Sequence, residues 1–292
     1  MELRHIRYFL AVAQELNFTR AAALVHIGQP PLSQHIKDLD AEVGAQLFRR
    51  LAQGAELTVA GRAFLEQIEG VLPQVERAKV AAQRAARGEI GSLHVGFTSS
   101  SAFSTVVPSA IRSFRRAYPE VDLSLEEAGT TRLTNGLLKG ELDIVFLRPG
   151  ATVSQDLQIR LLSEEPMLVA LPTCHPAAAA NEISLIDLRD EPFILFPRAT
   201  GATLFDTIIA ACRDAGFEPI LGQSAPQIDS IVNLVAAELG VSLVPASMNQ
   251  LQVSGVVYRE IAGVAPIARL ALAVRRGETS KVVRNFITQA VS

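Results

Sequence analysis

Hydroxyl side chains cluster where an apolar run ends: Thr98-Ser99-Ser100-Ser101 comes after Leu93–Phe97 and precedes a helical pattern. Hydroxyls and backbone N–H groups at the start of a helix suit a carboxylate or a phosphate. The same residues equally make an ordinary Ser/Thr turn and N-cap. Thr130 and Thr131 come after a second apolar run, Arg148 after a third, and Phe196-Pro197-Arg198 after a fourth farther along. Arg148 and Arg198 can clamp an anion, or they can be bridging or surface arginines. Covalent or metal chemistry is not indicated. The chain has no G-x-S-x-G, no P-loop, no H-E-x-x-H and no G-x-G-x-x-G opening a helix. Its two cysteines, Cys174 and Cys212, lie in no C-x-x-C pair, and Cys174-His175 has no second ligand cluster at zinc spacing. We therefore expect no metal, no cofactor and no enzyme.

A second constellation lies near the N-terminus. Gln29, Pro30, Ser33, Gln34 and Lys37 fall on the outward face of a short helix whose inward stripe is Leu32, Ile36, Leu39 and Val43. On a solvated helix such residues need no explanation. On the second helix of a helix-turn-helix they face base edges, where Gln suits adenine and Lys suits guanine or phosphate. Arg20 and Arg50 would then meet phosphates, which adds affinity and salt dependence but no sequence choice. The net charge of −3 and a pI near 6.0 argue against a generally basic nucleic-acid binder, so local placement of charge must supply the contact.

The elements that position these residues can be read from periodicity. Leu3, Ile6, Phe9, Leu10, Ala13 and Leu16 recur at three-and-four spacing, a first helix buried on one face. Asn17 or Thr19 caps a second helix, which Gly28 ends. The third starts at Gln29 with Pro30 and Pro31 in its first turn, and Gly44 stops it. Leu47–Arg50 and Glu56–Leu57 around Gly54 read as a two-stranded wing, and Thr58 caps a fourth helix. From Thr58 to Arg87 the pattern predicts one long helix with a stripe at Phe64, Ile68, Leu72, Val75 and Ala82, a linker and dimer seam, although the same stripe can pack on the winged domain. After Gly88 and Gly91, strands alternate with helices, which predicts parallel sheets with helices on both faces and a cleft at the strands' carboxyl ends.

At 292 residues, with 49% hydrophobic and 20% charged residues, the chain suits about two globular domains. Its apolar runs are far shorter than the roughly 20 residues of a membrane span, and Met1-Glu2-Leu3-Arg4-His5 leads into an amphipathic helix rather than a secretory signal, so no membrane role and a cytoplasmic location are expected. The expected fold is α/β overall. A winged helix-turn-helix spans residues 1–60, a linker helix 61–90, and a two-lobed α/β domain 91–292, with lobe I at about 91–161 and 267–292 and lobe II at about 162–266.

The N-terminal block resembles the LysR family of transcriptional regulators. The resemblance rests on Leu3, Tyr8-Phe9, Asn17-Phe18-Thr19-Arg20-Ala21-Ala22, Gln29-Pro30-Pro31-Leu32-Ser33, Leu39, Gly44, Leu47-Phe48, Arg50 and Leu57-Thr58-x-Ala60-Gly61. It continues more weakly through Leu93–Phe97, Pro108, 114–119, Leu137–Asp143 and Gly240–Pro245. Gly28 departs from the family's usual serine, and glycine caps nearly as well.

The resemblance implies a periplasmic-binding-protein-like effector domain, double-stranded DNA and RNA polymerase as partners, and a homodimer or homotetramer. It places the effector at Thr98, Ser99, Ser100, Thr130, Thr131, Arg148, Phe196 and Arg198, as a carboxylate or other anion of the muconate or small-organic-acid kind. Two rivals give the DNA no role, a free organic-acid-binding protein and an α/β enzyme. The first needs a secretory signal and has no use for the first 90 residues.

Overall fold

The computed structural model describes residues 1–150 and 154–291. The chain divides into two compact units, Met1–Arg84 and Ala85–Ser292.

In the first unit α1 (Leu3–Glu15), α2 (Phe18–Leu24) and α3 (Gln29–Val43) are followed by a hairpin, β1 (Phe48–Leu51) with β2 (Gly54–Leu57), then α4 (Val59–Ile68) and α5 (Val71–Ala86). Asn17 caps α2, its side chain accepting from the N–H groups of Thr19 and Arg20 at 2.9 and 3.1 Å. Gly44, at φ 76°, ends α3 in the left-handed conformation that glycine adopts freely. Ile6, Phe9, Val12, Leu32, Ile36 and Leu39 form the core with Leu47 and Phe48 from the wing.

Three details differ from the sequence reading. Helix α2 ends at Leu24, not at Gly28; a turn with His26 at φ 57° intervenes, and Gly28 caps α3 instead. Val43 is 39% exposed, because the packed stripe stops at Leu39. The long helix is two helices, broken at Glu69-Gly70, where glycine's weak helix preference and the nearby Pro73 favour a stop. The stripe continues across that break only for its first turn: Phe64 and Ile68 of α4 and Leu72 of α5 pack on the winged core, whereas no residue of α5 is fully buried.

The second unit runs through β3 (Gly91–Phe97), α6 (Ser99–Ala102), α7 (Val106–Ala117), β4 (Val121–Glu127), α8 (Thr130–Lys139), β5 (Ile144–Leu147), β6 (Leu157–Pro172), β7 (Glu182–Ile183), β8 (Pro192–Leu195), α9 (Ala202–Asp214), β9 (Ile220–Ser224), α10 (Ile228–Ala236), β10 (Ser242–Pro245), β11 (Val256–Ile261), β12 (Ile267–Arg275) and α11 (Lys281–Ala290). Strand β3 pairs in parallel with β4 and β5, and β8 with β9. Strand β11 also pairs in parallel with β7, but the remaining pairings depart from the parallel expectation: β12 is antiparallel to β5 and β6, and β10 and β11 are antiparallel to β6.

The reason lies in β6. Its Leu157–Pro166 half pairs with β12, and its Met167–Pro172 half pairs with β10 and β11, so one strand belongs to both lobes. It leaves the first lobe at Pro166, beyond the division expected at 161/162. The return passes Pro266, whose carbonyl accepts from Met167 N–H at 2.9 Å. Each lobe keeps its own core, Phe114, Phe146 and Phe286 in one and Phe193, Ile208 and Val232 in the other.

Candidate functional sites

The first site is the outer face of α3 with the wing beside it. Pro30, Gln34 and Lys37 are exposed there, and Gln29 and Ser33 are half-buried. Ser33 Oγ is a meeting point: it accepts from Gln29 Nε2 at 2.8 Å and from Arg50 Nη2 at 2.9 Å. Arg50 also lies over the Phe18 ring, 4.7 Å from its centroid, so wing, α2 and α3 are tied by one guanidinium. Gln34 Nε2 donates to Asp38 Oδ1 at 2.8 Å. Arg20 is held on α1, donating to the Glu15 carboxylate and carbonyl at 3.0 and 2.7 Å. Residues 1–62 hold seven Lys and Arg against six Asp and Glu, so any pull on DNA comes from placement and not from total charge.

The second site lies between the lobes of the second unit, at the carboxyl ends of β3, β4 and β5. A cavity of about 220 Å³ is lined by Thr98, Ser99, Ser100, Thr130, Arg148 and Phe196 among the residues expected from sequence. Thr131 and Arg198 are not in it; they line an adjoining open groove. Arg198 shares that groove with Arg148, but its guanidinium is already paired. Its fork is spent on Asp206, at 2.7 and 2.8 Å, a bidentate pair that raises the Arg198 pKa and lowers that of Asp206, the direct hydrogen bond being the main cause of both. Thr131 Oγ1 donates to the Ala199 carbonyl at 3.0 Å and Thr130 N–H to that of Thr200 at 2.9 Å, so both help to join the lobes. The approach there is close enough that a Cβ on Gly129 would strike the Thr200 carbonyl at 2.8 Å.

Arg148 is the cation of this cavity and is only 4% exposed. Its Nη2 donates to the Ser100 carbonyl at 3.1 Å and to Glu165 Oε1 at 2.9 Å, and its Nε reaches Ser100 Oγ at 3.4 Å. Burial pulls its pKa down, and Glu165 opposes that pull. Glu165 in turn accepts from Ser247 N–H at 2.6 Å and from Ser247 Oγ at 3.1 Å. Two buried polar atoms of the lining have no partner, Arg148 Nη1 and Thr98 Oγ1.

Besides Glu127, Ala128 and Gly129 at the end of β4, the sequence reading missed Thr200, Gly201, Thr203 and Leu204 at the start of α9 and Pro226, Gln227 and Ile228 at the start of α10, which complete the lining. Gly201 before an apolar-periodic stretch was a usable helix-start signal for the α9 group. The α10 group had none, because only the lobe packing brings Gln227 to Glu127, at 3.1 Å.

A winged helix-turn-helix joined to a two-lobed domain with a ligand-sized cleft defines a class, DNA-binding regulators governed by a small molecule. The comparisons with known proteins identify the family. Residues 3–62 match "Bacterial regulatory helix-turn-helix protein, lysR family", and residues 86–292 match "LysR substrate binding domain". The chain belongs to the LysR family of transcriptional regulators.

It is 38% identical over 287 residues to the HTH-type transcriptional regulator AlsR of Bacillus subtilis (strain 168), covering 98% of this chain and 94% of that one. It is also 38% identical to BudR of Raoultella terrigena, covering 98% and 99%. Full-length CbnR, crystallised with its target DNA, superposes with a TM-score of 0.86 at 27% identity over 99% of this chain and 98% of that one. The protein is therefore a sequence-specific DNA-binding transcriptional regulator, not an enzyme, and its second domain is an effector domain. No helix among the described residues is long and apolar enough to cross a membrane.

Proposed function

We propose that this regulator senses a small organic carboxylate in the cavity between its lobes. One observation carries the reading: Arg148 Nη1 and Thr98 Oγ1 are buried donors without partners, in residues that line the same cavity. Leaving such groups unpaired costs on the order of 1–3 kcal/mol each, which a ligand oxygen recovers. Phe196, Leu204 and Ile228 supply an apolar wall, and about 220 Å³ exceeds the roughly 150 Å³ that encloses a benzene ring. A ring or short chain bearing one carboxylate fits those terms.

Signalling arises from the pairing of Arg148. A carboxylate that draws Arg148 toward it competes with Glu165, and Glu165 holds Ser247 in the other lobe. Effector binding thereby changes how the lobes are joined, and it acts through its differential affinity for the two arrangements. On DNA, Gln29, Pro30, Ser33, Gln34 and Lys37 face bases, while Arg20 and Arg50 face phosphates once they exchange Glu15 and Ser33 for the backbone. A dimer or tetramer in the cytoplasm places two winged domains on dyad-related half-sites, and RNA polymerase is the downstream partner.

The test is a thermal-shift and calorimetric titration with small carboxylates, run on the wild type and on Arg148→Met. Stabilisation of the wild type that the variant loses by tenfold or more in affinity supports the site. Equal binding by both removes Arg148 from it.

A further inference from the structure

We propose that Asp38 is a positioning residue for base recognition, holding the Gln34 amide so that it matches adenine and rejects guanine; this rests on the reading that Gln34 faces a base.

An acidic residue on the DNA-facing side of α3 is unfavourable against phosphates, yet Asp38 stands there one helical turn beyond Gln34 and is exposed. No hydrogen bond or ion pair ties it to a cation among the described residues; its partner is the Gln34 amide, with Nε2 2.8 Å from Oδ1. A carboxylate only accepts hydrogen bonds, so the pair has one chemically sensible orientation, with the Gln34 nitrogen toward Asp38. Turning Oε1 toward the carboxylate would set two acceptors against each other.

The consequence is a count of free donors. A primary amide has two N–H donors, and Asp38 takes one. Gln34 is left with one N–H and the Oε1 acceptor. Adenine offers an N6 donor beside the N7 acceptor, which that pair satisfies; guanine offers O6 and N7, two acceptors, and needs two donors. A glutamine free to rotate can turn both N–H groups toward guanine, but Gln34 bonded to Asp38 cannot without losing its partner. Spacing of four residues on one helix face is the geometry in which such side-chain pairs form.

The experiment selects preferred duplexes from a random pool with the full-length protein, comparing wild type, Asp38→Ala, Asp38→Asn, Gln34→Ala and the double variant Gln34→Ala/Asp38→Ala. We expect one position per half-site where wild type prefers adenine and where Gln34→Ala loses the preference. At that position Asp38→Ala lowers the adenine-to-guanine ratio by about threefold to tenfold, part of the discrimination a bidentate contact provides. Asp38→Asn keeps an acceptor oxygen and preserves the ratio while removing the charge. In the Gln34→Ala background, Asp38→Ala changes nothing further at that position.

The proposal is overturned if Asp38→Ala shifts the position equally with and without Gln34, or if it raises affinity uniformly for all sequences, which is the behaviour of a charge alone. A Gln34→Ala variant with an unaltered preference at every position refutes the base-reading role of Gln34, and this proposal with it.

Discussion

Arg148 is a cation where a cation is costly, and Glu165 makes it tolerable. Arg148 is buried and Glu165 largely covered, at 4% and 17% side-chain exposure, so removing Glu165 leaves Arg148 an uncompensated charge and not a solvated one. Glu165→Ala is expected to destabilise the second unit by about 3 kcal/mol, read as a lower urea midpoint; an unchanged midpoint means that water already screens the pair. Glu278 predicts the acid limit. Burial works to raise its pKa, but hydrogen bonds from Ser280 N–H and Arg275, each at 2.8 Å, outweigh that and hold it below the ordinary glutamate value. A depressed carboxylate adds stability above its unfolded pKa and loses it as pH falls through the folded one. Glu278→Gln should thus be less stable at neutral pH and lose less on acidification to about pH 3 than wild type; parallel pH curves would refute the linkage. The hydroxyl run at Thr98 and the cation at Arg148 could be read from residue type and strand order. Glu165 and Ser247 could not: they are 82 residues apart and meet only through the register of β6. The pairing of Arg198 was not legible either, because Asp206 lies eight residues on, across the turn into α9.

The winged domain shows why short motifs are more legible than long ones. Thr58 Oγ1 accepts from Gly61 N–H at 2.9 Å and donates to the Gln46 carbonyl at 2.7 Å, capping α4 while fastening it to the wing. Gly61 is the residue that lets the two approach, since a Cβ there would run into the Leu47 carbonyl oxygen. Gly61→Ala should accordingly lower the melting temperature of the first unit and weaken operator binding together. Loss of binding with an unshifted transition would place the fault on the DNA side. Within such a motif every constraint lies a few residues away, and the sequence alone predicts α1 through β2 to within a residue or two, apart from the end of α2. The helix after it failed because periodicity continues across Glu69-Gly70 although the hydrogen-bonded backbone does not. Strand direction in the second unit failed for a related reason: an apolar run such as Leu270–Val274 has the same pattern whichever way its neighbour runs, and only the path of β6 through both lobes makes β12 antiparallel.

Two units with separate cores give the regulator two stabilities to control. Phe9, Leu32 and Leu39 belong to one core, and Phe146, Phe286 and Val232 to those of the other unit, so their unfolding can be followed separately. A ligand at a hundred times its Kd stabilises the fold that binds it by about 2.7 kcal/mol, or roughly 10–20 °C for a domain of the first unit's size and roughly 5–10 °C for one of the second's. Operator DNA should therefore raise the transition of residues 1–84, and a carboxylate effector that of the remainder. If the two sites are coupled, saturating effector must change the shift produced by DNA, and DNA must change the shift produced by effector by the same free energy. Differential scanning calorimetry with each ligand alone and with both measures this directly. Reciprocal shifts establish that the cavity governs the DNA-binding face. Strictly additive ones would mean that the effector acts after binding, on bending of the DNA or on contact with polymerase, and not on operator affinity.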